Sequence, residues 1–173
     1  MKKIVVYKSS TGFTKRYAEW IAQELECEAV GLKKVSVEKL KEYELVIFGG
    51  GFVGGNINGL AKMKKMYTGQ MIVFGTGATP QEATEVINTA VGNNFTAEEK
   101  EKMPFFYMHS GLNYEKMNFI EKSMMNMLKR MLAGKKEKTQ EDLAMEKMIA
   151  RSFDECDKKY IKPLIAYVKQ LEA

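Results

Sequence analysis

The six residues Ser9-Ser10-Thr11-Gly12-Phe13-Thr14 set four hydroxyls and a glycine between an apolar run, Ile4 to Tyr7, and a stretch with helical spacing. A helix N-terminus presents unpaired backbone N–H groups and the positive end of the helix dipole, so hydroxyl donors placed there suit an anion. A nucleoside-triphosphate loop would need G-x-x-x-x-G-K-[ST], but only Gly12 is present and no lysine sits at the required place. The G-x-G-x-x-G of a dinucleotide site is missing too. A phosphoacceptor receiver would carry acidic residues where Lys8-Ser9 and Gly49-Gly50 stand. One compact phosphate monoester remains as a fitting ligand, against the alternative of an ordinary helix cap, since Ser and Thr cap helices that bind nothing.

The surrounding elements favour the ligand. Apolar runs at Lys3 to Tyr7, Glu28 to Leu32, Leu45 to Phe48, Met71 to Phe74 and Phe105 to Met108 read as five strands. Helical spacing lies between them: Tyr17 to Leu25, Val37 to Tyr43, Leu60 to Tyr67 and Gln81 to Val91. A last helix carries Ile161, Leu164, Ile165, Val168 and Leu171, with Pro163 starting or kinking it. Strands separated by helices imply an α/β parallel sheet wrapped on both faces. Ligands of such sheets sit at the carboxyl ends of the strands. Three Gly-, Ser- and Thr-rich loops, 9–14, 49–59 and 75–79, lie at such ends.

The length of 173 residues fits one domain, 1–173, and 45% hydrophobic with 28% charged residues is the balance of a globular protein. No apolar run is long enough to span a bilayer, and the N-terminus shows no secretory cleavage pattern. Cys27 and Cys156 match no metal spacing and read as buried, inert thiols of a cytoplasmic protein. The sole tryptophan, Trp20, reads as core. Nothing near the three loops forms a metal cluster, a pair of catalytic carboxylates or a nucleophile–base set. His109, the only histidine, ends the fifth strand, either packed there or as a proton donor close to the site.

Ser9-x-Thr11-Gly12-x-Thr14 after a first strand resembles the phosphate loop of the flavodoxins, and the spacing to the glycine-rich third loop and to Thr76-Gly77-Ala78-Thr79 agrees. The resemblance implies a flavodoxin-like, doubly wound five-stranded parallel sheet of order 2-1-3-4-5. It also implies non-covalent FMN, with the phosphate in Ser9, Ser10, Thr11, Gly12, Phe13 and Thr14. The ring system would lie along Gly50, Gly51, Phe52, Val53, Gly54, Gly55 and Asn56 and along Thr76, Gly77, Ala78 and Thr79. Gly111, Leu112, Asn113 and Tyr114 would close the site. Phe52, Val53 and Tyr114 are the stacking candidates. A flavin gains a proton at N5 on one-electron reduction, so a carbonyl must turn toward it. One of Gly50, Gly51, Gly54 or Gly55 would permit that. The chain departs from the family in its basic pI of about 9.0 and in having no tryptophan near Phe52.

The segment "SGLNYEKMNFIEKSMMNMLKRMLAGKKEKT" is similar to an insertion of the flavodoxin-like, menaquinone-dependent protoporphyrinogen oxidases. It opens a helical insertion over residues 115–150, with Gly134 as a stop followed by the polar run KKEKTQED. Between Glu115 and Lys138, seven basic residues oppose three acidic ones, so +4 of the chain's formal +5 sits here. On a helix, Met117, Ile120, Met124, Met125, Met127, Leu128, Met131 and Leu132 share one face and Lys122, Asn126, Lys129 and Arg130 the other. Phe119 falls on the polar side, and Glu121 intrudes on the apolar one. The face either packs over the domain or serves as an adaptable surface for a quinone, a protein partner or an anionic membrane. That last option adds a peripheral position at the inner face of the membrane. No reading helix or aromatic platform points to nucleic acid.

Three functions follow from these readings. The first is an electron carrier working with redox partner proteins. The second is a quinone-dependent oxidase of the protoporphyrinogen oxidase type, and the third a binding module that has lost its flavin.

Overall fold

The computed structural model describes residues Met1 to Ala173. Its first half runs β1 (Lys3–Lys8), α1 (Phe13–Glu24), β2 (Glu28–Gly31), α2 (Val37–Leu40), β3 (Leu45–Val53), β4 (Asn56–Ile57), α3 (Leu60–Met66) and β5 (Gln70–Gly77). It continues through α4 (Thr84–Gly92), α5 (Ala97–Lys102), β6 (Phe105–His109), β7 (Gly111–Leu112), α6 (Phe119–Ala133), α7 (Gln140–Ile149), β8 (Phe153–Asp154) and α8 (Lys162–Leu171). Five parallel strands form the sheet in the order β2-β1-β3-β5-β6. The short β4 turns back antiparallel on the end of β3. Counting parallel strands only, this is the order that the family resemblance implies.

The apolar runs are continuous because alternate side chains enter two different cores. Val5, Leu45, Ile47, Ile72 and Phe74 face Tyr17, Ile21, Leu164 and Val168 of α1 and α8. Ile4, Val6, Val46, Phe48 and Val73 face Leu32, Leu40, Leu60, Met63 and Phe95 on the other side. Trp20 packs edge-on against Tyr17, with ring centroids 5.3 Å apart. Pro163 stands in the first turn of α8, where its missing N–H costs nothing.

The largest difference from the sequence reading concerns the glycine runs. Gly49, Gly50 and Gly51 are not loop but strand, and β3 continues to Val53. Gly49 to Gly51 pair with Phe74, Gly75 and Thr76 of β5, and Gly49 and Gly50 also with Tyr7 and Lys8 of β1. Backbone ladders need no side-chain pattern, so the pairing left no periodic trace. Gly50 has a steric reason to lack a side chain: a Cβ there would meet the Asn58 carbonyl at 2.5 Å and Ile57 Cγ2 at 2.7 Å. Similarly, β5 runs on to Gly77.

Two more helices begin where the sequence reads as polar. The N-caps Thr96, Asn118 and Thr139 each accept a hydrogen bond from the backbone of the third helical residue, whose carboxylate accepts one from the cap N–H. Glu121, the acidic residue on the apolar face of α6, is the carboxylate of one such pair, 3.1 Å from the Asn118 N–H. No helix is long and apolar enough to cross a membrane.

Candidate functional site

A cavity of about 510 Å³ lies at the carboxyl ends of β1, β3 and β5, beneath α6. That is within the usual range for a small-molecule site. Its first wall is the turn after β1. Gly12, at φ 100°, is the left-handed N-cap of α1, and its N–H is held by Ser9 Oγ at 3.1 Å. Ser9 and Gly12 therefore shape the turn, while Ser10, Thr11, Phe13 and Thr14 line the cavity. Thr14 and Thr76, each 3% exposed, join hydroxyl to hydroxyl at 2.8 Å and so tie this turn to the end of β5. Both oxygens stand over Gly51, whose hypothetical Cβ would lie 3.5 and 3.7 Å from them.

The second wall comes from β3 and the turn that follows it. Gly51, Phe52, Val53, Gly54 and Gly55 line the cavity; Gly50 and Asn56 do not. Phe52 lies over Gly75 and packs toward Phe105 and Tyr107, with ring centroids 6.2 and 6.1 Å away. Gly54 and Gly55, at φ 58° and 79°, make a left-handed turn that other residues would strain. Asn94 secures this turn. Its amide donates to the Gly55 carbonyl at 2.8 Å, and its Oδ1 accepts from the Ile57 N–H at 2.8 Å. Nothing in the sequence flagged Asn94, because its role depends on a turn 37 to 39 residues away.

Thr76, Gly77, Ala78 and Thr79 form the third wall. Tyr107 donates its hydroxyl to the Thr79 carbonyl at 2.8 Å, and Ser110 gives both its N–H and its hydroxyl to Gly77. Burial pushes the Tyr107 hydroxyl far above its ordinary pKa, so it stays a donor. His109 lies outside the lining. Its Nε2 is 3.1 Å from the Ala78 carbonyl, and its ring packs near Phe153 and Tyr160. That is the packed histidine of the two alternatives.

Gly111, Leu112 and Asn113 line the cavity as expected, but Tyr114 does not. Its hydroxyl donates to the Ile149 carbonyl, its N–H to Ser152 Oγ, and the Lys129 ammonium lies 4.2 Å from its ring centroid. Tyr114 is thus a clasp at the base of α6 and α7 rather than a stacking surface for a ligand. The antiparallel pair β7–β8 and the 2.7 Å ion pair of Arg16 with Asp154 fasten the same region to α1. Burial pushes the Asp154 carboxyl up, but Arg16 and the Cys156 N–H outweigh it and leave it below the ordinary range.

The roof carries most of what sequence reasoning missed. Met117 reaches in from just before α6, Met124, Met125, Leu128 and Met131 from α6 itself, Met148 and Ile149 from α7, and Val86, Ile87 and Ala90 from α4. Lys8 and Asn58 join at the loop end, where Lys8 follows the last apolar residue of β1. Lys8 and Glu121 are the only charged residues in the lining, and Lys8 forms no ion pair. No group of three His, Cys, Asp or Glu side chains is placed to hold a metal ion. The two cysteines are free and half-buried.

The family model described as a flavodoxin domain matches residues 4–139. No curated protein matches the chain significantly. Among solved structures, the chain is similar to a flavodoxin from the domain Archaea at 24% identity, covering 62% of this chain and 85% of that one with a TM-score of 0.40. Flavodoxin 2 from Bacillus cereus is 17% identical, with 62% and 84% covered and a TM-score of 0.41. A flavodoxin-type, WrbA-like protein from Agrobacterium tumefaciens is 16% identical, with 61% and 82% covered and a TM-score of 0.39. The chain belongs to the flavodoxin-domain family.

Proposed function

We propose that this flavodoxin-domain protein holds FMN non-covalently in the cavity and transfers electrons through it. The observation that carries the reading is that one cavity joins a hydroxyl-rich helix N-terminus to a glycine rim and an apolar roof. The donor set fits the group: Ser10, Thr11 and the free N–H groups of α1 suit a phosphate monoester, and the unpaired Lys8 supplies a countercharge. Gly51 and Gly55 leave room along one wall for a flat ring, with the flexible Met124 side chain lying over Gly54, and Thr76 to Thr79 offer backbone groups to its polar edge. When bound, the flavin supplies one- and two-electron chemistry that none of these side chains provides. The residues bind, orient and shield. The left-handed Gly54-Gly55 turn is the segment able to rotate a peptide at little steric cost, which narrows the four candidate glycines to two. Titrating purified protein with FMN and recording the visible spectrum tests this; an unaltered flavin spectrum and fluorescence at saturating protein would refute it.

A finer reading is a quinone-dependent oxidase of the protoporphyrinogen oxidase type, in place of a carrier that meets only protein partners. The methionine roof favours it, because flexible thioethers over an apolar slot adapt to a bulky organic substrate beside the flavin. Steady-state turnover with a porphyrinogen and a menaquinone analogue separates the two, and flavin reduction without such turnover would leave the carrier.

A further inference from the structure

Four large apolar side chains both line the cavity and stand exposed: Val86, Met127, Met131 and Met145. They mark its mouth. Along α6 the same edge continues outward through Ile120, 69% exposed, and Phe119, 86% exposed. Ile120, Met127 and Met131 recur at helical spacing on one stripe, so the apolar face of α6 is only partly turned inward. The flank of the helix beside the mouth therefore keeps a row of large apolar groups in water. Such a row marks a contact surface.

The charge around the row says what it contacts. Arg130 lies beside the stripe and Lys122 one turn on from Phe119, both on the exposed side of α6, and neither forms an ion pair; nor do Lys116 and Lys136 beyond its two ends. Lys135 and Lys138 are paired with Asp142 and Glu146 of α7, and Lys129 is drawn over Tyr114. Of the acidic groups nearby, Glu121 is committed to its cap and Glu115 to Ser152, and the exposed Glu137 stands between Lys136 and Lys138. A second copy of this chain would set the same unpaired cations against one another, which opposes association. An apolar ridge flanked by unpaired cations suits a surface that is apolar below and anionic above.

We propose that α6 and the mouth of the cavity dock on an anionic lipid surface. Phe119, Ile120, Met127 and Met131 enter the acyl boundary, while Lys116, Lys122, Arg130 and Lys136 engage the headgroups. No helix can span the bilayer, so the attachment is parallel to it and reversible. Docking so would open the cavity toward the bilayer rather than toward water. The proposal does not depend on the flavin.

Co-sedimentation of the full chain with phosphatidylcholine vesicles, with and without phosphatidylglycerol, tests it. Binding should be about tenfold or more tighter with the anionic lipid and weaken as salt rises. The variants Phe119→Asp/Ile120→Asp and Lys122→Glu/Arg130→Glu should each cut it about tenfold or more with an unchanged circular dichroism spectrum. All six sites involved in contact on α6 are at the surface, so folding is not at stake in these variants. Equal binding to both vesicle types, or equal binding by parent and variants, would overturn the proposal. So would a dimer in light scattering that Phe119→Asp/Ile120→Asp dissolves, because the ridge would then belong to a second copy.

Discussion

Replacing Thr14 with valine should show how the phosphate turn and the end of β5 depend on each other. The two hydroxyls lie 2.8 Å apart and are almost fully buried, so each is the other's partner in place of water. A single Thr14→Val or Thr76→Val leaves one buried hydroxyl without a partner, at a cost of about 1–3 kcal/mol. Replacing both removes donor and acceptor together while nearly keeping shape, and should cost less than about 1 kcal/mol. With singles near 2 kcal/mol, the cycle then gives a coupling of about 3 kcal/mol, at the upper end for neighbouring residues. Urea unfolding of the four proteins without flavin measures the cycle, and FMN titration by fluorescence quenching runs beside it. Affinity should fall in each single variant and largely return in the double. Additive stabilities would refute the reasoning, since they would mean that neither hydroxyl relies on the other.

Lys8→Gln should weaken FMN about tenfold or more while sparing riboflavin, because the cation serves the phosphate; an equal loss for both ligands would contradict that. Gly50→Ala should destabilise the protein by about 1–3 kcal/mol in urea, because its Cβ would press on the Asn58 carbonyl, and a neutral result would count against β3 continuing through the glycines. Burial pushes the Cys27 thiol up to about 11 and the Cys156 thiol up to about 12, whereas unfolded thiols ionise near about 8.5. The folded chain therefore binds more protons in that window. This contribution is complete below about pH 8.5 and is lost as pH rises toward the folded values, so the urea midpoint should fall between about pH 8.5 and 10.5, and a flat profile would contradict it. Tyr114→Phe should speed amide exchange across 140–149 with the sheet amides unchanged, as expected of a clasp on the Ile149 carbonyl.

The five parallel strands were legible because burial on both faces writes an unbroken apolar run. The extension of β3 was not, because Gly49 to Gly51 pair through backbone alone. Helix α5 has no buried residue and so no hydrophobic stripe; its capping box was its sole local mark. At the site, the turn after β1 and the glycine rim could be read from hydroxyls and glycines following apolar runs. Val86, Ile87 and Ala90 could not, since only the packing of α4 against the roof brings them to the cavity. Tyr114 was not legible for a related reason: an aromatic residue after the last strand points to the ligand only if the chain does not fold back over it. Here Ile149 and Ser152 return to meet it. Lys8 was the one missed residue with a readable signal, a charge at the last position of a buried strand.

The starts of α6 and α7 are each written in four consecutive residues, Asn118 to Glu121 and Thr139 to Asp142, with no help from the sheet. An appendage punctuated in this way is portable. Evolution, or a designer, can lengthen, trim or transplant it between related domains without re-threading the sheet that carries it, and so can change the roof of the cavity while leaving its floor alone.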